Sequence, residues 1–175
     1  MTVQRQIGGR VVVPWFFFAA AAFTAVNAHA VQNVLPPAVL PPARNLAADG
    51  KVAEIIRQPI IVLVSLAGCP HCEVVRRSHL IPQLREPGVR DAPIIRQVEM
   101  NGNERMVDFV GKAITHVEFS RRYGVKLAPV VFFFAPNGDL LADPLVGAMI
   151  ADFYGAYFDA ALATARAKLQ KPLSP

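Results

Sequence analysis

Gly68-Cys69-Pro70-His71-Cys72 holds both cysteines of a 175-residue chain. An apolar run precedes it (Ile60, Ile61, Val62, Leu63, Val64), and a helix-compatible stretch, 73–85, follows. Two thiols with two residues between them at a strand-to-helix turn are what a dithiol/disulfide redox centre requires. The first sulfur then stands at a helix N-terminus, where unpaired backbone N–H groups and the helix dipole favour a thiolate. The second thiol is within reach to close a disulfide. The motif points to thiol–disulfide exchange.

Within the motif the roles divide by position. Cys69, at the first turn of the helix, is the candidate nucleophile; thiols so placed have pKa values of roughly 3.5 to 7.5, against ~8.5 for a free thiol. Cys72 is the resolving thiol. A purely structural disulfide is a poor alternative, because so short a loop stabilises little through chain entropy. Pro70 and His71 form the turn between the sulfurs. An imidazole N–H or imidazolium at His71 would further stabilise the Cys69 thiolate. A zinc site would need His79 and His116 to complete a Cys₂His₂ set, and their spacings match no common finger. A c-type haem site would need histidine after Cys72, where Glu73 stands. Arg76, Arg77, Arg85 and Arg90 read as solvated surface. A secondary reading has Arg76 or Arg77 adding positive potential for acidic substrates.

The first thirty residues read as a targeting segment. Arg5 and Arg10 form a positive start, residues 11–26 are apolar apart from Thr24, and Ala28-His29-Ala30 offers the small residues a signal peptidase recognises. A signal peptide over 1–30, cleaved near Ala30, is expected; an uncleaved anchor is the alternative, and a sixteen-residue stretch is slightly short for a span. Export would leave the chain periplasmic or secreted, where disulfides persist. Without Arg5 and Arg10, 16 basic residues face 13 acidic ones, a net of +3. That surplus, with no basic run longer than a pair, gives no argument for nucleic acid as a partner.

The elements that must position the motif follow from punctuation and periodicity. Residues 31–44 carry four prolines and read as an extended linker, with the folded domain over 45–171. A helix is expected over 45–58, with Asp49-Gly50 as a weak point. Pro59 ends it and opens a strand over 60–66, apolar on both faces as at a sheet centre. After the Cys-bearing helix, a polar loop over 86–92 leads to a strand over 94–99. Residues 107–114 read as a small hairpin. Thr115-His116-Val117-Glu118 is a capping box that starts a helix over 116–123, ended by Gly124. A third strand spans 129–135. Asn137-Gly138 reads as a two-residue hairpin turn. An edge strand over 140–146 follows, its second half demoted by Pro144. A long amphipathic helix over 148–169 closes the chain. Parallel βα units come first, and an antiparallel hairpin with a helix completes the sheet.

In this order of elements the chain resembles the thioredoxin superfamily over roughly residues 45 to 170. The resemblance is carried by Cys69 to Cys72 after the central strand and by Tyr123-Gly124-Val125 closing a helix. Ala128-Pro129, the strand with its Asn137-Gly138 turn, and Val146-Gly147-Ala148 before the last helix complete it. It implies an α/β thioredoxin-like fold: a mixed sheet of about four to five strands flanked by helices. It also implies a cis peptide bond before Pro129, with Ala128 and Pro129 contacting an extended substrate strand through the backbone. The chain departs from thioredoxin at Gly68, where thioredoxin has Trp, and at Leu63, where it has a buried acid, so the resolving thiol's proton acceptor is unassigned. Pro70-His71 is the dipeptide of periplasmic disulfide oxidases of the Dsb type. Their large helical insertion has no room between Cys72 and Pro129. Residues 107–115 look instead like the small insertion of periplasmic thioredoxin-like proteins, including those associated with sulfur oxidation.

The expected activity is protein-disulfide oxidoreduction on other exported proteins, with no dissociable cofactor beyond the Cys69–Cys72 pair. The resemblance implies a membrane thiol–disulfide electron donor or acceptor. A non-catalytic thioredoxin-fold binding module, or a metal-handling protein using the two cysteines, is the alternative. The direction of electron flow stays open. Pro70-His71 and Leu63 lean toward an oxidising or isomerising role, and the compact scaffold leans toward a reductase.

Overall fold

Six consecutive residues, Ile60–Ser65, are fully buried and form the central strand β1. In a computed structural model, residues 39–85, 92–147 and 151–170 are described. The expected signal peptide and most of the linker lie outside them. β1 pairs in parallel with β2 (Ile94–Glu99) and antiparallel with β5 (Val130–Phe134), and β5 pairs antiparallel with the two-residue β6 (Leu145–Val146). The sheet order is β2-β1-β5-β6. This mixed four-stranded sheet with helices on both faces is the thioredoxin-like arrangement. A separate hairpin, β3 (Arg105–Val107) with β4 (Ala113–Thr115), occupies the stretch read as a small hairpin.

Strand alternation sorts the core into two layers. Ile61, Leu63, Ile95, Val131 and Phe133 face the Cys-bearing helix and α5 (Ala151–Gln170), meeting Val75, Leu80, Phe158 and Leu162. Ile60, Val62, Val64, Phe132 and Phe134 face the other way, toward α1 (Leu46–Ile56), the hairpin and α4 (His116–Arg122). That second layer is aromatic. Phe119 and Tyr123 lie 4.6 Å apart by ring centroids, and Tyr123 reaches Phe134 edge-on at 5.1 Å.

Helix α1 runs unbroken through Asp49-Gly50. Asn45 caps it by accepting from the Ala48 N–H at 2.9 Å. A Cβ at Gly50 would lie 2.3 Å from the Pro136 carbonyl, so glycine lets the helix touch the β5 turn. Asp49 is held by a two-pronged ion pair with Arg96, at 2.6 and 2.9 Å. The capping box forms as read: Thr115 accepts from the Glu118 N–H at 3.3 Å, and Glu118 accepts from the Thr115 N–H at 2.7 Å.

Three readings change. The linker reading fails from residue 39 on. Leu40 and Ala43 are buried, Ala43 donates to the Gln97 carbonyl at 2.8 Å, and Gln97 donates to the Pro41 carbonyl at 2.9 Å. The proline-rich segment thus lies along the outer edge of β2 as a short strap. Prolines accept there without needing to donate. The turn after β5 is also longer than two residues. Gly138 donates to the Ala135 carbonyl, Ala135 donates to the Asp139 carbonyl, and only Gly138 of the loop has positive φ, at 92°. Pro136 presets a three-residue loop with glycine in the left-handed position, where a two-residue type I′ turn would need positive φ at Asn137 as well. Finally, pairing over 140–146 is interrupted in its middle. Leu140 bridges Phe134, and the ladder resumes at β6, beyond Pro144.

Candidate active site

Strand β1 ends at Ser65, and the chain turns through Leu66-Ala67-Gly68 into the helix. Cys69 donates its N–H to the Leu66 carbonyl at 3.2 Å. Gly68 has φ 71°, a left-handed conformation that side-chain-bearing residues adopt at a cost. Helix α2 (Pro70–Val75) continues through a π-helical turn (Arg76–Leu80) into α3 (Ile81–Arg85). Pro70 occupies its first position, where no N–H is needed and φ is already helical.

Cys69 is the N-cap of this helix. Its backbone is extended, and its Sγ accepts from the Cys72 N–H at 3.1 Å. Cys69 and Cys72 are joined as a disulfide with Cα atoms 5.3 Å apart. The two sulfurs differ in access: Cys69 is half-buried and Cys72 fully buried. His71 is exposed on the outer side of the turn. The side chain an attacking thiol meets first is therefore Cys69.

The Ala128–Pro129 peptide is cis. Val64 pairs with Val130 in the β1–β5 register, so one further step sets Pro129 across from Ser65 and Ala128 across from Leu66. Both residues thus stand at the sheet end from which the Cys loop leaves. Pro129 is buried and its carbonyl accepts from Gly147 at 2.8 Å; Ala128 is half-buried. Leu63 is fully buried in the apolar layer with Val75, so that layer brings no carboxylate to the disulfide from below.

On the β2 side of Cys69 is a cleft of about 400 Å³, lined by Val39, Gly68, Cys69, Pro70, Glu73, Arg76 and Gln97. Arg76 overturns its reading as solvated surface: it is only 8% exposed. Its Nε donates to Gln97 at 2.8 Å, one terminal nitrogen donates to Ser65 Oγ at 2.7 Å, and the other is paired with Glu73. Glu73 also accepts from Arg77 Nε at 2.6 Å. The physical reason is helical spacing. Residues 69, 73 and 76 share one stripe, and that stripe faces β2 and the strap. Glu73 and Gln97 were not singled out as site residues. The charged i, i+3 pair after the motif was the available signal.

The other two candidate ligand residues do different work. His79 packs against Tyr154, with ring centroids 4.9 Å apart, and burial lowers its pKa against an opposing pull from Asp159. His116 is buried. Its Nδ1 accepts from the Glu99 N–H at 3.1 Å, so its Nε2 carries the proton and donates to the Ala43 carbonyl at 3.1 Å.

No protein-family model matches the sequence, and no curated protein matches it. Solved structures do. A thioredoxin-fold protein from Helicobacter pylori is 13% identical, covering 67% of this chain and 74% of that one, with a TM-score of 0.47. A poplar thioredoxin h is 17% identical over 67% of this chain and 95% of its own, with a TM-score of 0.41. The oxidised C-terminal domain of DsbD from Neisseria meningitidis is 15% identical over 69% and 98%, with a TM-score of 0.42. What the site itself supports is coarse and plain: a Cys-x-x-Cys disulfide at a helix start, fit for thiol–disulfide oxidoreduction.

Proposed function

We propose that this protein is an exported thiol–disulfide oxidoreductase that exchanges disulfides with other exported proteins through Cys69 and Cys72. The observation that carries the reading is the asymmetry of the pair. One sulfur is accessible and capped by backbone N–H at a helix start; the other is buried 5.3 Å away by Cα. In the reducing direction, the Cys69 thiolate attacks one sulfur of a substrate disulfide. A Cys69–substrate disulfide forms, and the first substrate sulfur leaves as a thiolate and takes a proton. Cys72 loses its proton and attacks Cys69, the Cys69–Cys72 bond closes, and the second substrate thiolate leaves. Two electrons pass to the substrate; the oxidising direction is the same steps reversed.

Ala128 and Pro129 precede β5, which pairs with β1 on the side away from β2, and in this reading they receive the substrate as an extended strand. The targeting pattern over 1–30 supports action in the periplasm or outside the cell, after cleavage near Ala30. A membrane thiol–disulfide partner would restore the pair in either direction.

The test is reduction of insulin by the reduced protein, combined with trapping. Cys72→Ser should accumulate mixed disulfides with exported proteins on non-reducing gels, and Cys69→Ser should accumulate none. No turnover by wild type would favour the binding-module alternative. Equal adducts from both variants would reverse the assigned roles.

A further inference from the structure

Leu63 lies in the apolar layer beneath the pair and brings no carboxylate there. The ionisable groups lie beside the pair instead. Glu73 follows Cys69 by four residues on the same helical stripe, and its N–H donates to the Cys69 carbonyl at 3.2 Å. Side chains at that spacing stand roughly 5–6 Å apart at Cβ. Both residues line the same cleft, and Arg76 forms its inner wall. Arg76 cannot swing away, because Ser65 on β1 and Gln97 on β2 hold two of its three nitrogens. Glu73 is in turn gripped by Arg76 and by Arg77.

We propose that Glu73 and Arg76 are positioning residues that set the stability of the Cys69 thiolate by opposite electrostatic effects. This rests on the thiol–disulfide reading above. The fixed guanidinium of Arg76 attracts negative charge on Cys69. The Glu73 carboxylate repels it and, by pairing with Arg76, reduces that attraction. Both act through a cleft open to solvent, so the field is partly screened and salt-dependent. The other charged or titratable groups around the stripe are few. His71 stands in the motif, Arg77 is on the helix, and Glu99 on β2 accepts from the Gln97 amide. The strap residues 39–43 contribute none.

The pairing makes a prediction that a merely structural role does not. The pH midpoint for iodoacetamide labelling of Cys69 is measured in the fully reduced protein, alongside the equilibrium with glutathione. Glu73→Gln should lower the labelling midpoint and Arg76→Met should raise it, each by roughly half to one pH unit. The glutathione equilibrium should move by about three- to tenfold, toward the reduced protein in Glu73→Gln and away from it in Arg76→Met. Arg76→Lys keeps the charge but not the three-way grip, so its midpoint should fall between wild type and Arg76→Met. Raising salt should shrink every shift.

Arg76→Met leaves Ser65 Oγ and the Gln97 amide oxygen without their guanidinium donor. If it does not fold, Glu73→Gln decides alone. An unchanged or raised midpoint in Glu73→Gln, with wild-type Cys69 still labelled ahead of Cys72, overturns the proposal. Wild-type labelling that favours Cys72 would instead defeat the functional reading beneath it.

Discussion

Helices α2 and α4 begin on the same pattern and end up with opposite capacities. Each N-cap side chain accepts an N–H from three residues on: Cys69 Sγ from Cys72 at 3.1 Å, Thr115 Oγ1 from Glu118 at 3.3 Å. In α4 the partner residue reaches back, and the Glu118 carboxylate takes the Thr115 N–H at 2.7 Å. The box supplies its own anion at the positive end of the helix. In α2 the partner is another sulfur, bonded to the first, and the nearby carboxylate of Glu73 turns sideways to two arginines. When the disulfide opens, the thiolate is the new anion at this helix start, the first-turn Glu73 being held by Arg76 and Arg77. A helix terminus that has filled its own cap is stable and chemically inert. One capped by sulfur keeps its electrostatic capacity for a reacting group.

Converting one start into the other is the sharpest way to break the contrast. Cys69→Ser gives α2 an oxygen cap. Disulfide reduction should fall by roughly a thousandfold or more, to the uncatalysed level. The thermal midpoint should match that of the reduced wild type or rise, by up to about 1 kcal/mol of stability. Retained turnover would mean that Cys69 is not the nucleophile. His71→Leu removes the exposed imidazole between the two cysteines, expected from the sequence to favour the thiolate. The thiolate, and with it the reduced form, should lose stability, so the redox midpoint should become more negative. Each pKa unit lost is worth ~1.36 kcal/mol, or about 30 mV. An unchanged or more positive midpoint in a glutathione buffer series would leave the helix terminus alone in control.

At the inert start, Thr115→Ala should destabilise the fold by about 1 kcal/mol in denaturant unfolding. The labelling midpoint of Cys69 should not move; if it does, the two starts are coupled. The smallest effect concerns pH. The backbone N–H and hydroxyl of Thr115 hold the Glu118 carboxyl below the usual carboxylate range. A depressed acid contributes stability above its unfolded value and loses it as pH falls through the folded one. The difference in thermal midpoint between wild type and Glu118→Gln should therefore be present at neutral pH and shrink as pH drops through about 4 and below. A difference that persists into strong acid would assign the contribution to hydrogen bonding alone.

What could be read in advance followed the strength of local signals. The runs at 60–66 and 129–135 announced buried strands because no polar residue interrupts their centres, the one at 94–99 rested on Ile94, Ile95 and Val98 alone, and the structure places strands at all three. The capping box and the Cys-x-x-Cys start are local patterns whose partners lie three residues apart, so both were legible. Arg76 was not, because its burial depends on Ser65 and Gln97 from two different strands. The strap failed for the same reason: prolines read as linker until an edge with a free acceptor and donor, Gln97, is set beside them. Pro136 was overlooked as the residue that turns Asn137-Gly138 into a three-residue loop. Local chemistry named the candidate nucleophile; the residues that surround it came together only through tertiary pairing.

The strap has a consequence for self-association. An open sheet exposes two edges, each able to recruit another chain's strand. Here one edge, β6, is two residues long. Along β2 the outermost backbone belongs to Pro41, Pro42 and Ala43, and two of these three have no N–H to offer an incoming strand. The proline-rich segment thus ends the sheet on the side where it would otherwise keep growing. The strap closes that edge to any extended chain the protein meets.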